Sequence, residues 1–139
     1  MVRKDDHNSR GSIQCGALCW RENGPDLEIL LVTSRDTGRW VIPKGWPMPG
    51  KTFAEAAEQE AWEEAGVKGV IHPVPVGSYH YSKPELAMEL EVVVFALKST
   101  KAAAKFPECK QRRRTWLSLE KAAGLVAEPD LAALIANFA

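Results

Sequence analysis

The chain has 139 residues, 18 Lys and Arg against 18 Asp and Glu, and 45% apolar residues, which suits one domain with a real hydrophobic core. A formal net charge of zero gives no global field favouring nucleic acid, so any attraction for a polyanion must come from local clusters. No apolar run reaches the roughly 18 residues of a membrane span, and the polar start MVRKDDHNSRGS lacks the apolar core of a signal peptide, so the expected location is cytoplasmic.

Residues 1–11 read as a flexible lead-in to a single domain over 12–139. Residues 12–20 form a strand whose even spacing puts Cys15 and Cys19 on one face, as core residues. Asn23-Gly24-Pro25 is a turn signal, with Leu27 to Thr33 as the return strand. Trp40-Val41-Ile42 is a short strand running into a loop rich in Gly and Pro. Thr52-Phe53-Ala54-Glu55 is a capping box that starts a helix, and Gly66 is its natural stop. Val70 to Tyr81 is extended, broken by Pro73 and Pro75. Met88 to Leu97 is β-rich, and Thr115 to Leu117 is a short strand. Leu119 to Val126 and Pro129 to Phe138 read as helices. The pattern predicts an α/β fold, a mixed sheet with helices on its faces. Three cysteines without a CxxC pair make neither a disulfide framework nor a zinc site, and His7, His72 and His80 are scattered.

The helix ending at Gly66 carries the chemistry. At 100° per residue Glu60, Glu63 and Glu64 project within an arc of roughly 100°, shared with Phe53, Ala56 and Ala57. Glu60 and Glu64 are like charges at i,i+4, and acids in a last helical turn oppose the helix dipole, each at a cost of a few tenths of a kcal/mol. A bound Mg²⁺ removes these objections, because it takes carboxylate oxygens together with water and substrate phosphate. The plainer reading is an exposed helix with solvated acids.

Gly45, Glu60, Ala61, Glu63, Glu64, Gly66 and Val67 stand at the spacing of the Nudix signature, and the segment resembles the Nudix hydrolases. Two positions depart from that signature. Lys51 replaces the loop Glu and Gln59 replaces the Arg that helps orient the acids in the family. An amide can still hydrogen-bond a carboxylate, without charge assistance. Leu30 to Arg35, Arg39 to Pro43, and Arg112-Arg113-Arg114-Thr115-Trp116-Leu117 are similar to the diphosphoinositol polyphosphate phosphohydrolases within that family.

The resemblance implies an α/β/α sandwich and metal-dependent hydrolysis of a phosphoanhydride. It makes Glu60 and Glu64 the leading metal ligands, Glu63 a ligand or general base, and Gly45 part of the metal loop, with Mg²⁺ or Mn²⁺ as cofactor. Glu89, Glu91 and Glu108 are candidates for an acid outside the signature. Arg10, Arg35, Arg39, Lys44, Arg113 and Arg114 are the candidate phosphate contacts, since guanidinium forks bind phosphate bidentately. Trp46 either stacks on a base or packs on Pro47 and Pro49. Trp40 and Trp116 read as packing residues, and Trp62 points away from the acids. The expected partner is a small-molecule polyphosphate, either a diphosphoinositol polyphosphate or a dinucleoside polyphosphate, with no nucleic acid and no membrane; the protein would be a monomer or homodimer. The alternative is a ligand-binding protein of this fold with little or no turnover.

Overall fold

Strand β1 (Ile13–Asn23) is central, and its alternation builds two cores at once. In the computed structural model, which describes residues 12–138, Cys15, Ala17 and Cys19 face one cluster of buried residues and Leu18 and Trp20 face the other. β2 (Asp26–Thr33) divides likewise, with Leu30 and Val32 on the first side and Ile29 and Leu31 on the second. Period-two alternation with both faces apolar is what a strand covered on both sides requires. The flexible lead-in expected at residues 1–11 lies outside the described residues.

β1 pairs antiparallel with β2 and parallel with β7 (Met88–Ala102) over Ile13 to Trp20. The sheet runs β3-β2-β1-β7-β5, where β3 is Trp40–Val41 and β5 is Val67–Ile71. Three further strands extend it: β4 (Lys44–Gly45) on β1, β6 (Gly77–Lys83) on β7 and β8 (Arg114–Ser118) on β2. The segment expected to be extended and broken by Pro73 and Pro75 is two strands, β5 and β6, on either side of those prolines. Both pair with β7, β6 along its first half and β5 along its last, and Pro73 and Pro75 fall in the gap, where no ladder N–H is needed. β7 continues to Ala102, beyond Leu97, because its polar tail pairs with β5.

Helix α1 (Phe53–Glu60) covers the first face. Both halves of its capping box form: Thr52 accepts from the Glu55 N–H, and the Glu55 carboxylate accepts from the Thr52 N–H. Ala54, Ala56 and Ala57 are its buried residues, followed by Ala61 and Ala65 in the next turn, small enough to let the helix lie close on β1. The expected α-helix does not stay α to its end. Ala61–Ala65 open into a π turn, closed by Gly66 at φ 68° with its N–H on the Ala61 and Trp62 carbonyls. Helices α2 (Leu119–Leu125) and α3 (Pro129–Ala136) cover the opposite face through Ala122, Leu131 and Ile135. This is the α/β/α sandwich. Among the described residues no helix is long and apolar enough to cross a membrane.

Candidate active site

The acidic end of α1 meets the sheet at β4. Pairing of Cys15 with Gly45 brings that glycine under the Glu60 side chain, where a Cβ on Gly45 would collide with the carboxylate. Glu64, one turn on and only 7% exposed, accepts from the Lys44 backbone N–H at 3.3 Å. The Glu60 and Glu64 carboxyls are neighbours, and each acts on the titration of the other. Burial, and then the charge of Glu64 beside it, push Glu60 up to about 8. Burial also raises Glu64, against the pull of Arg112 and Lys44. Two acids this close cannot both ionise cheaply without a cation.

The pair opens into a cleft of about 400 Å³. Its walls carry Arg35, Arg39, Lys44, Lys83 and Arg112, together with Glu108, Trp46 and Tyr81. Lys44 lies with its Nζ 5.1 Å from the centre of the Tyr81 ring, and burial lowers its pKa. Arg39 is held by Glu128 at 2.9 Å. Tyr81 donates to Gln14 at 2.6 Å.

Of the residues singled out in the sequence, the structure brings Glu60, Glu64, Gly45, Arg35, Arg39, Lys44, Trp46 and Glu108 to this cleft. Others go elsewhere. Glu63 accepts from the Gln59 amide at 2.7 Å and does not line the cleft, though its charge still acts on Glu60. Arg114 spends its guanidinium on the carbonyls of Ala65 and Ala103, each at 2.6 Å. Arg113 lies over the Trp40 ring. Glu89 accepts from the Ser82 hydroxyl, and Glu91 sits in the β7 ladder opposite His80, neither of them in the cleft. Arg10 lies outside the described residues. Lys51 is exposed and away from the cleft, so its charge does not oppose a cation there. Trp62 carries Lys68 over its ring at 4.6 Å.

Lys83 and Tyr81 are not among the residues the sequence singles out, and Arg112 enters there only as part of the basic run that ends at Arg114. Arg112 was hidden in a run of three arginines, of which it alone turns into the cleft. Lys83 and Tyr81 follow from the pairing of β6 with β7, for which the chain has no local signal.

Among the described residues no three His, Cys, Asp or Glu side chains converge as a ready-made metal cage. Mg²⁺ does not need one: it keeps several waters and uses one or two carboxylates plus substrate phosphates. The Glu60–Glu64 pair, with the Gly45 backbone beside it, fits that demand.

A mixed sheet between helices, with paired carboxylates at a cation-lined cleft, defines the class. The NUDIX domain model matches residues 13–138, and the chain belongs to that family. It is 38% identical over 102 residues to Nudix hydrolase 12, mitochondrial, of Arabidopsis thaliana, covering 69% of this chain and 50% of that one. It is 29% identical over 111 residues to diphosphoinositol polyphosphate phosphohydrolase 3-alpha of Mus musculus, covering 78% of this chain and 65% of that one. The C. elegans Ap4A hydrolase, in a binary complex, has the same fold with a TM-score of 0.73 at 21% identity, covering 91% of this chain and 94% of that one. The chain spans about half the length of the first of these curated relatives.

Proposed function

We propose that the protein is a divalent-metal-dependent pyrophosphohydrolase that cleaves a phosphoanhydride in a small diphosphate-linked molecule. The observation that carries this is the neighbouring Glu60–Glu64 pair in a cleft whose walls also carry Arg35, Arg39, Lys44, Lys83 and Arg112. Acids hold the cation and cations hold the phosphates. The names of the mouse phosphohydrolase and the worm Ap4A hydrolase support a diphosphoinositol polyphosphate or a dinucleoside polyphosphate as substrate.

In this reading Glu60, Glu64 and the Gly45 backbone hold Mg²⁺ or Mn²⁺. Such an ion neutralises phosphate oxygens and lowers the pKa of water. The chain's own part is orientation. Gly45 leaves room for the Glu60 carboxylate, and the Lys44 N–H fixes one oxygen of Glu64. Arg35 and Arg39 offer guanidinium forks on one wall, and Lys44 and Lys83 offer point charges. Asp36, Glu85 and Glu108 are acids outside the signature that line the cleft; Glu108 is the one of these whose charge acts on both Glu60 and Glu64, and in this reading it is the third acid of the site.

The test is phosphate release with Mg²⁺ from inositol pyrophosphates, dinucleoside polyphosphates, nucleoside diphosphate sugars and nucleoside triphosphates, with Glu64→Gln beside the wild type. Turnover of one class that collapses in the variant supports the hydrolase. Ligand binding with no turnover anywhere in the panel would replace it with the binding-protein reading, which the neutral Gln59 in place of an arginine favours.

A further inference from the structure

We propose that Arg112 is the positioning residue of this site, holding Glu64 and Glu108 at fixed angles to the cleft; this rests on the hydrolase reading above. Gln59, which stands where the family has its Arg, bonds Glu63 and carries no charge. Arg112 stands just before β8 with its side chain only 9% exposed, between two acids. Its Nε donates to Glu108 at 2.7 Å, its Nη1 donates to the Thr33 carbonyl at 2.9 Å, and its Nη2 lies 3.5 Å from Glu64.

The geometry clamps Glu64 from two sides. One oxygen accepts from the Lys44 N–H and the other faces Arg112. The longer of the two guanidinium-to-acid distances is the one to Glu64, so that carboxylate keeps lone pairs for a cation while its direction is set. The clamp is itself anchored. The Glu108 N–H bonds the Glu63 carbonyl at 3.0 Å, tying the loop to the π turn; at its other end the Thr33 N–H donates to the Arg113 carbonyl and the Arg113 N–H donates to the Thr33 hydroxyl, each at 2.9 Å. A planar fork serves here where an ammonium would not, because three partners lie in different directions around it.

Arg112 is also unlike the cleft's other cations. Arg35 is 57% exposed, with Nη1 on the Gln111 side chain at 3.0 Å and Nε 3.9 Å from Glu108, whereas all three nitrogens of Arg112 face protein oxygens and its side chain is buried. A residue that holds acids affects turnover and cation affinity; one that binds phosphate affects KM. Charge alone predicts the opposite sign for the cation: deleting a positive group beside Glu64 should tighten metal binding, whereas losing the clamp should weaken it.

The experiment measures kcat, KM and the Mn²⁺ dissociation constant by electron paramagnetic resonance for wild type, Arg112→Ala and Arg112→Lys, with circular dichroism as the folding control. The expected result is kcat lower by about 10–100-fold, as for other groups that orient metal ligands, with KM little changed and Mn²⁺ bound more weakly. Arg112→Lys should stay impaired, and added guanidinium should restore part of the activity of Arg112→Ala. Tighter or unchanged Mn²⁺ binding would overturn the proposal, as would a loss confined to KM. If Arg112→Ala does not fold, Arg112→Lys carries the same comparison. If the wild type turns over nothing, the hydrolase reading fails separately and the Mn²⁺ constants alone decide the clamp.

Discussion

Gly45 and Glu60 occupy one space: the carboxylate lies where a side chain on Gly45 would begin. The backbone at Gly45 is not in the left-handed region, so alanine is excluded there by the neighbour and not by φ. Gly45→Ala should therefore fold but push Glu60 out of line with Glu64. Turnover should fall by about 10–100-fold, the scale seen when metal-ligand geometry is disturbed, and Mn²⁺ affinity should fall with it. Steady-state kinetics and Mn²⁺ titration check this; a variant with wild-type kcat would show that the contact is unimportant.

The acid pair gives the metal-free protein a particular pH response. Glu60 is raised from an ordinary 4.5 to about 8, by burial first and Glu64 second. The folded state then holds a proton that the unfolded chain releases. Its stabilising contribution is complete below about pH 4.5 and is lost as pH rises through about 8. Glu64 is shifted in the same direction. Melting with a chelator present should show Tm falling across that window, with a smaller fall in Glu60→Gln. Mg²⁺ should raise Tm more at about pH 8 than at about pH 5, since it competes with that proton. A metal-free Tm that climbs between those pH values would contradict the assignment.

Much of this site was legible because its parts are local. The capping box, the glycine stop and the spacing of Glu60 and Glu64 lie within one loop and helix, and helical geometry places the acids together. What stayed hidden depends on distant pairing. Ala61 to Ala65 form a π turn, and nothing in those residues distinguishes it in sequence from a further α turn. Three consecutive arginines look alike in sequence. In the fold Arg112 meets Glu64, Arg113 meets Trp40 and Arg114 meets two carbonyls, because β8 pairs with β2 in one register only.

That register makes Arg114 a structural residue. Its two short bonds join the end of the π turn to the loop after β7, at Ala65 and Ala103. Hydrogen bonds from charged donors contribute about 1.5–3 kcal/mol each, so Arg114→Ala should destabilise the fold by about 2 kcal/mol or more. Tm should drop by roughly 5–10 °C, with KM for substrate unchanged below the transition. A stable variant with a raised KM would instead return Arg114 to the phosphate contacts.

Trp46 separates the two substrate chemistries. It lines the cleft and is 42% exposed, so a flat ring is available beside the acids and cations that would hold a phosphate chain. A nucleobase can stack on it and an inositol ring, which has no π face, cannot. Stacking of a base on an aromatic side chain is worth about 1–3 kcal/mol. Trp46→Ala should raise KM for dinucleoside polyphosphates by about tenfold or more, at about 1.4 kcal/mol per factor of ten, while KM for inositol pyrophosphates stays within about twofold. Equal losses for both classes would mean that Trp46 supports the loop through packing and contributes nothing specific to a base. KM is independent of the folded fraction, and taking the ratio of its change for the two substrates with the same two proteins removes any effect common to both, leaving the part specific to the base.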